Sequence, residues 1–357
     1  MRRSFVCFLL LAVTSGAYAQ RSPIVRGISR NLGSTNGGTI LTLSGSNLLP
    51  TVRCLLACPT TVMFGDAMAT LKGAVPTMLH VRTPPHAPGT VDITVSIAGE
   101  APIVLTDAFT YSTNPEANFE RVLVPLYFDG VLKGAYGSEW ITSIWIRNNG
   151  TDAVSIAPWS CADGQDCAGA PATYELPSSR SLKSLAPLSG VPDGNPSRLL
   201  YLSQAESSDV SFSVRFADQS RGLTDAGIDM PVIRENEALY GSAQLFSVPL
   251  KSSFRVLLRL YELGDVSSRF RVTIYPQSEL DEQPIHSEEL TATVQGGSFP
   301  TKAGYATLDV TGLLHLEKAW PDSVRIQITP LTEGSRYWSF VSLTNNDTQM
   351  VTLVTPQ

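Results

Sequence analysis

The sequence predicts an all-β protein built from sandwiches, and three observations predict it. Apolar and polar residues alternate in TILTLSG, VDITVSIAG, SIWIRNN, VSFSVRF, FRVTIYP and VRIQITP, which is the period of a strand with one face buried and the other wet. Apolar spacing of helical period is nearly absent. Glycine and proline, 27 and 24 among 357 residues, are spread evenly, as turns between many short strands require. The one helix-like stretch, LTDAGIDMPVIRENEALYG at 223–241, is interrupted by Pro231 and reads as loop.

The chain opens with MRRSFVCFLLLAVTSGAYAQ. Arg2 and Arg3 precede an apolar core from Phe5 to Val13, and Ala17-Tyr18-Ala19 supplies the small-x-small pattern of a signal-peptidase site. The core is far shorter than the roughly 20 residues of a membrane-spanning helix. Residues 1–19 are therefore expected to be a signal peptide cut after Ala19, and the mature chain to be secreted, periplasmic or on the cell surface. No membrane insertion is expected after cleavage. With 32 acidic against 26 basic residues and no Lys/Arg block, nothing provides the electrostatic footprint of a nucleic-acid partner.

Residues 37–49, GGTILTLSGSNLL, raise the question of a phosphate loop. A phosphate loop continues into Gly-Lys-Ser/Thr and opens a helix. Here no lysine follows, and the residues between the glycines alternate as a strand. Asn36-Gly37-Gly38 is expected to turn with positive φ. Gly45-Ser46-Asn47 ends the strand, with Asn47 expected to bond its own loop backbone. Gly65-Asp66 reads as a hairpin turn between TVMF and AMATL. The prolines of Thr83-Pro84-Pro85-His86-Ala87-Pro88-Gly89 donate no ladder hydrogen bonds, so this stretch leaves the sheet. Phe109 and Tyr111 flank Thr110, placing both rings on one face of a closing strand.

In that order these motifs resemble the IPT/TIG family. They are the Gly-Gly-Thr strand, Gly45-Ser46-Asn47-Leu48, Val62-Met63-Phe64-Gly65, Thr83-Pro84-Pro85 with Pro88-Gly89, and Phe109-Thr110-Tyr111. The resemblance covers residues 23–111 and implies an immunoglobulin-like sandwich at 22–112 with a binding or spacer role. The family's DNA-binding members rely on basic loops, and no such cluster is present here.

Residues 113–118 read as an exposed linker around Pro115. Residues 119–357 form a larger β-sandwich region with a possible split near 240. A faint echo runs through it: Val124-Pro125-Leu126 against Val248-Pro249-Leu250, 140–158 against 254–276, and 209–216 against 322–328. The spacing suits one repeated sandwich, but strands sharing one period produce the same signal. VPLYFDG, WIRNNG and SFVSLTNNDTQMVTLVTP resemble stretches of uncharacterised exported bacterial β-proteins.

Residues that could carry chemistry are few. In an exported chain, Cys54, Cys58, Cys161 and Cys167 are expected as local disulfides, 54–58 and 161–167, with a four-cysteine metal site as the rival. His80, His86, His286 and His315 show no metal-ligand spacing. The loops at Asp163–Asp166 and Asp218–Asp229 lack the calcium-loop pattern, so no cofactor is expected and calcium is a remote possibility. Adjacent Asp281-Glu282 and Glu288-Glu289 point to opposite strand faces and cannot straddle one bond. Trp140, Trp145, Trp159 and Trp338 are the candidate ligand-stacking aromatics. Trp140 and Trp145 are an odd number of residues apart, so one can be core and the other exposed.

The function these residues imply is a non-catalytic exported protein for surface attachment, recognition or extracellular scaffolding, with an extracellular or cell-envelope protein or glycan as partner. The alternative is an extracellular carbohydrate-active enzyme or its accessory carbohydrate-binding protein.

Overall fold

The computed structural model describes residues 22–50, 60–113, 115–128, 130–157, 174–183, 194–203, 207–224, 227–277, 283–294, 299–313 and 321–357. Residues 1–19, the four cysteines, Trp159, Asp163–Asp166, Asp281-Glu282 and His315 lie outside them. All six alternating segments are strands, and the strands fall into three pairs of facing sheets. No helix among the described residues is long and apolar enough to cross a membrane.

The first sandwich holds β1 (Ile24–Ile28), β2 (Leu32–Ser34), β3 (Ile40–Ser46), β4 (Thr61–Phe64), β5 (Ala67–Met68), β6 (Thr70–Val75), β7 (Met78–Arg82), β8 (Gly89–Ser96) and β9 (Ile103–Ser112). Its sheets run β1-β3-β7-β6 and β2-β9-β8-β4-β5. The chain switches sheets between β1 and β2, so β1 pairs antiparallel with β3 while β2 runs parallel to β9. Alternation sends Leu41, Leu43, Leu79, Val81, Ile93 and Val95 into one fully buried core. Phe109 and Tyr111 share that face, and both meet Phe64 edge-on, at 5.0 and 6.4 Å. Gly37, Gly38 and Gly65 take positive φ at their turns, and no strand spans 83–88. Asn47 also reaches beyond its own turn. It is left-handed, with φ 57°, and its amide donates to Ser22 O at 3.4 Å, in the segment that leads into β1.

The second sandwich holds β10 (Phe119–Pro125), β11 (Leu132–Lys133), β12 (Glu139–Asn148), β13 (Val154–Ala157), β14 (Tyr174–Leu176), β15 (Ser181–Lys183), β16 (Ser197–Ser203), β17 (Val210–Asp218), β18 (Ile228–Met230) and β19 (Ile233–Arg234). One sheet runs β14-β13-β16-β10-β19, the other β11-β12-β17-β18 with β15 also paired to β12. The described residues of the helix-like stretch at 223–241 thus hold β18, β19 and a single 3-10 turn at Glu235–Glu237 after the end of another at Gln219–Thr224, with no α-helix among them. The third sandwich holds β20 (Ala243–Pro249), β21 (Phe254–Glu262), β22 (Ser268–Pro276), β23 (His286–Ala292), β24 (Gly304–Asp309), β25 (Ser323–Pro330), β26 (Tyr337–Asn345) and β27 (Val351–Val354), in sheets β20-β25-β22-β23 and β24-β21-β26-β27.

These last two sandwiches share one strand order. The order β14-β13-β16-β10 corresponds to β23-β22-β25-β20, and β15-β12-β17-β18 to β24-β21-β26-β27. The two Val-Pro-Leu segments close equivalent strands, with Pro125 opposite Ser197 and Pro249 opposite Ser323. The stretches at 140–158 and 254–276 contain the equivalent pairs β12–β13 and β21–β22. The third echo is misassigned. Residues 209–216 lie in β17, whose counterpart is β26; the β25 strand formed by 322–328 corresponds to β16. A period of two is the same in either sheet of a sandwich, so it cannot distinguish facing strands.

The second and third sandwiches also share apolar packing. Tyr261, Leu263, Ala303, Trp338 and Phe340 join the core built on Leu199, Leu200, Tyr201 and Leu202. Across the seam Leu199 N–H bonds Thr301 O at 2.8 Å, and the Tyr201 hydroxyl bonds Pro300 O at 2.9 Å.

Candidate functional site

The described tryptophans, Trp140, Trp145 and Trp338, are divided between core and surface. Trp140 is 8% exposed and stacks on Phe216 at 4.8 Å with the rings 10° apart, its Nε1 donating to Ser138 Oγ at 2.9 Å. Trp338 is 6% exposed and lies against Phe340. Neither offers a ring face to a ligand. Trp145, on the opposite face of β12 from Trp140, is 46% exposed. Among the described residues, Trp140, Trp145 and Trp338 therefore do not share one stacking platform. Among the described residues, the titratable candidates have structural partners. His80 Nδ1 lies 3.0 Å from Thr42 Oγ1, and His86 stacks on Tyr111 at 4.9 Å. Glu289 pairs with Arg271 at 2.9 Å. Asp218 accepts from the backbone of Glu139 and Ser220 and from Arg221, which makes it the organiser of a turn.

The site that tertiary structure does assemble is the junction of the three sandwiches. Arg30 leaves β1 of the first sandwich and meets Glu235, just after β19, at 2.8 Å. From the third sandwich, Arg336 meets the other Glu235 oxygen at 2.9 Å and also donates to Ser29 O at 2.9 Å. Arg121, in β10, donates its backbone N–H to Glu235 and its guanidinium to Asp265 at 2.7 Å and to Leu263 O. Arg336 reaches the second Asp265 oxygen at 3.4 Å. Side chains of Arg30, Glu235, Arg121 and Arg336 are nine-tenths or more buried, while Asp265 is 64% exposed and closes the network toward solvent.

Burial alone would raise the Glu235 carboxyl, but Arg30, Arg336 and Arg121 outweigh it and hold it below the usual carboxylate range. Asp265 is lowered in the same way, chiefly by Arg121 working against desolvation. Glu262 behaves oppositely: burial pushes it up, only partly offset by the Arg336 and Gly264 N–H groups, 2.9 and 2.7 Å from its Oε1. Two guanidinium groups from different sandwiches on one buried carboxylate make a brace that fixes sandwich to sandwich, because Glu235 and both arginines keep these partners only while all three modules are docked.

Two clefts flank the brace. One, of about 650 Å³, lies between the first sandwich and residues 236–241, and includes Arg26, Thr42, Ser44, Met78, His80, Asn236 and Tyr240 in its walls. The other, about 460 Å³, lies against the third sandwich and includes Asn31, Glu262, Asp265 and Glu333. Arg26 and Tyr240 belong to both.

The first sandwich matches the family model for the IPT/TIG domain over residues 23–111, and its sheet-switching first strands and paired sheets agree. Residues 23–111 are an IPT/TIG domain. No curated protein matches this chain. Among solved structures, the chain is similar to SGBP-B from a complex xyloglucan utilization locus in Bacteroides uniformis. The two are 11% identical, with 93% of this chain and 73% of that chain covered and a TM-score of 0.20. It is also similar to the surface glycan-binding protein PbSGBP-B from Prevotella bryantii, at 11% identity, 94% of this chain, 99% of that chain and a TM-score of 0.20. The IPT/TIG domain supplies Arg30 to the brace and Thr42, Ser44, Met78 and His80 to the larger cleft.

Sequence reasoning passed over Arg30, Arg121, Glu235, Glu262, Asp265 and Arg336. The available signal was charge within otherwise apolar segments, as with Glu120 and Arg121 in FERVLVPLYF and Glu262 in RVLLRLYELG. Such a charge must be exposed or paired, but nothing local names its partner.

Proposed function

We propose that this chain is an exported, non-catalytic recognition protein in which an IPT/TIG domain and two further sandwiches act as one rigid arm toward an extracellular or envelope partner. The supporting observation is the buried Arg30–Glu235–Arg336 brace, which draws one residue from each sandwich into a single hydrogen-bonded unit. A freely jointed spacer has no need of buried, mutually dependent charges between modules. A binding arm does, because preorganised surfaces lose less entropy when they dock. The export reading rests on the 1–19 leader, and the cysteines follow from it: non-reducing peptide mapping of the exported protein is expected to find 54–58 and 161–167 pairs.

A glycan array and an envelope pull-down with the mature protein test the function. The expected result is saturable, selective binding to a glycan or envelope component. Absence of binding in both assays overturns the recognition reading.

A further inference from the structure

We propose that the cleft between the outer face of the IPT/TIG domain and residues 236–241 is a binding site for a neutral oligosaccharide. This rests on the recognition reading above and gives it a place and a ligand class.

The register of β3 and β7 sets Thr42 opposite His80 and Ser44 opposite Met78. Their alternates, Leu41, Leu43, Leu79 and Val81, are fully buried in the core, so these four side chains share the outer face. Thr42 is itself buried, its hydroxyl held by His80 Nδ1 at 3.0 Å and Asn236 O at 3.4 Å, so the open part of that face presents Ser44, His80 and Met78. The facing wall is fixed at both ends. Glu235 is locked in the brace, and Leu239 exchanges backbone hydrogen bonds of 2.7 and 3.0 Å with Tyr337. The close approach of Tyr240 to the first sandwich depends on Gly27, where a Cβ would stand 3.1 Å from the Tyr240 ring. The cleft is thus preformed, and its roughly 650 Å³ falls within the range of about 300–1,000 Å³ typical of small-ligand sites.

Its chemistry selects the ligand. Arg26 and Glu237 offset each other in charge, and the remaining polar groups are the neutral hydroxyls, the imidazole and the Asn236 amide. A strongly anionic or cationic ligand would meet one attractive and one repulsive group. Asn236 Oδ1 is buried behind the cleft wall and has no hydrogen-bond partner among the described residues, so a donor is what it lacks. Met78, Leu239 and Tyr240 add apolar surface. Many hydroxyls interleaved with C–H faces match such a surface. The second cleft shares Arg26 and Tyr240 as walls, which gives a ligand longer than a single sugar room beside the first.

The mature protein is probed on an array of gluco-, xylo-, manno- and galacto-oligosaccharides. The hit is then titrated by calorimetry against wild type, Ser44→Trp, Met78→Asp and Trp145→Ala. Met78 is 39% exposed, so its variant keeps the test valid if Ser44→Trp disturbs folding. The expected result is a neutral hit weakened at least tenfold by both cleft variants, with unchanged thermal transitions, and unaffected by Trp145→Ala. A hit that depends on Trp145 and ignores both cleft variants overturns the cleft assignment and leaves recognition standing. So does a protein partner captured without any glycan hit, including one displaced by Ser44→Trp, which would make the cleft a peptide site. Absence of any partner overturns both readings.

Discussion

Glu235 shows how much a single residue holds in this protein. Its carboxylate accepts from guanidinium groups of two other sandwiches and a backbone N–H of its own. Removing one partner of a buried ion pair leaves the others desolvated and unmatched, which costs about 3 kcal/mol. Glu235→Gln preserves shape and removes charge. It is expected to lower unfolding stability by about that amount, read as a lower urea midpoint than wild type. An unchanged midpoint would mean that water reaches Arg30 and Arg336 without penalty. Such residues were illegible in sequence because Arg30 and Glu235 are 205 positions apart and Arg336 is 101 beyond Glu235. The tryptophans were half legible: parity separated Trp140 from Trp145, but which of them would be core depended on the facing sheet.

At the scale of elements, period and turn chemistry were the most readable layer, and Gly45 shows why. It sits in β3 where β1 bulges between Val25 and Gly27, and an added Cβ would stand 2.0 Å from Ile24 O. The obstacle is backbone, so no side-chain rearrangement relieves it. Gly45→Ala is expected to separate β1 from β3 and destabilise the IPT/TIG domain by about 2 kcal/mol. Calorimetry of the full chain would register this as a lower first transition, whereas an unshifted thermogram would place β1 outside the cooperative unit. The strand segments were correctly found because alternation is local. Their pairing was not, as the exchange of β17 for β25 in the repeat shows.

For the whole molecule, the brace makes module docking depend on pH in a defined direction. Glu235 and Asp265 have lowered values in the folded protein. Their stabilisation is therefore fully present above the ordinary carboxylate range of about 4 and is lost as pH falls through the lowered folded values. Glu262 and Glu120 are raised by burial, so protonating them relieves strain rather than adding it, and mild acid leaves the arm closed. Small-angle scattering is expected to give the same radius of gyration at pH 7 and pH 5, with expansion only well below pH 4. Expansion already between pH 7 and pH 5 would show that other contacts govern docking.

The sequence by itself determined the strands, the turns between them and the IPT/TIG domain, because each rests on a local period or on a residue whose own backbone demands a conformation. Only the tertiary structure decided which strands face each other, that the second and third sandwiches share a strand order, and that isolated charges from three modules meet at Glu235. Those outcomes depend on contacts between residues hundreds of positions apart. Burial makes such charges seek partners, but the identity of each partner is set by how the sheets stack, and no local pattern records that.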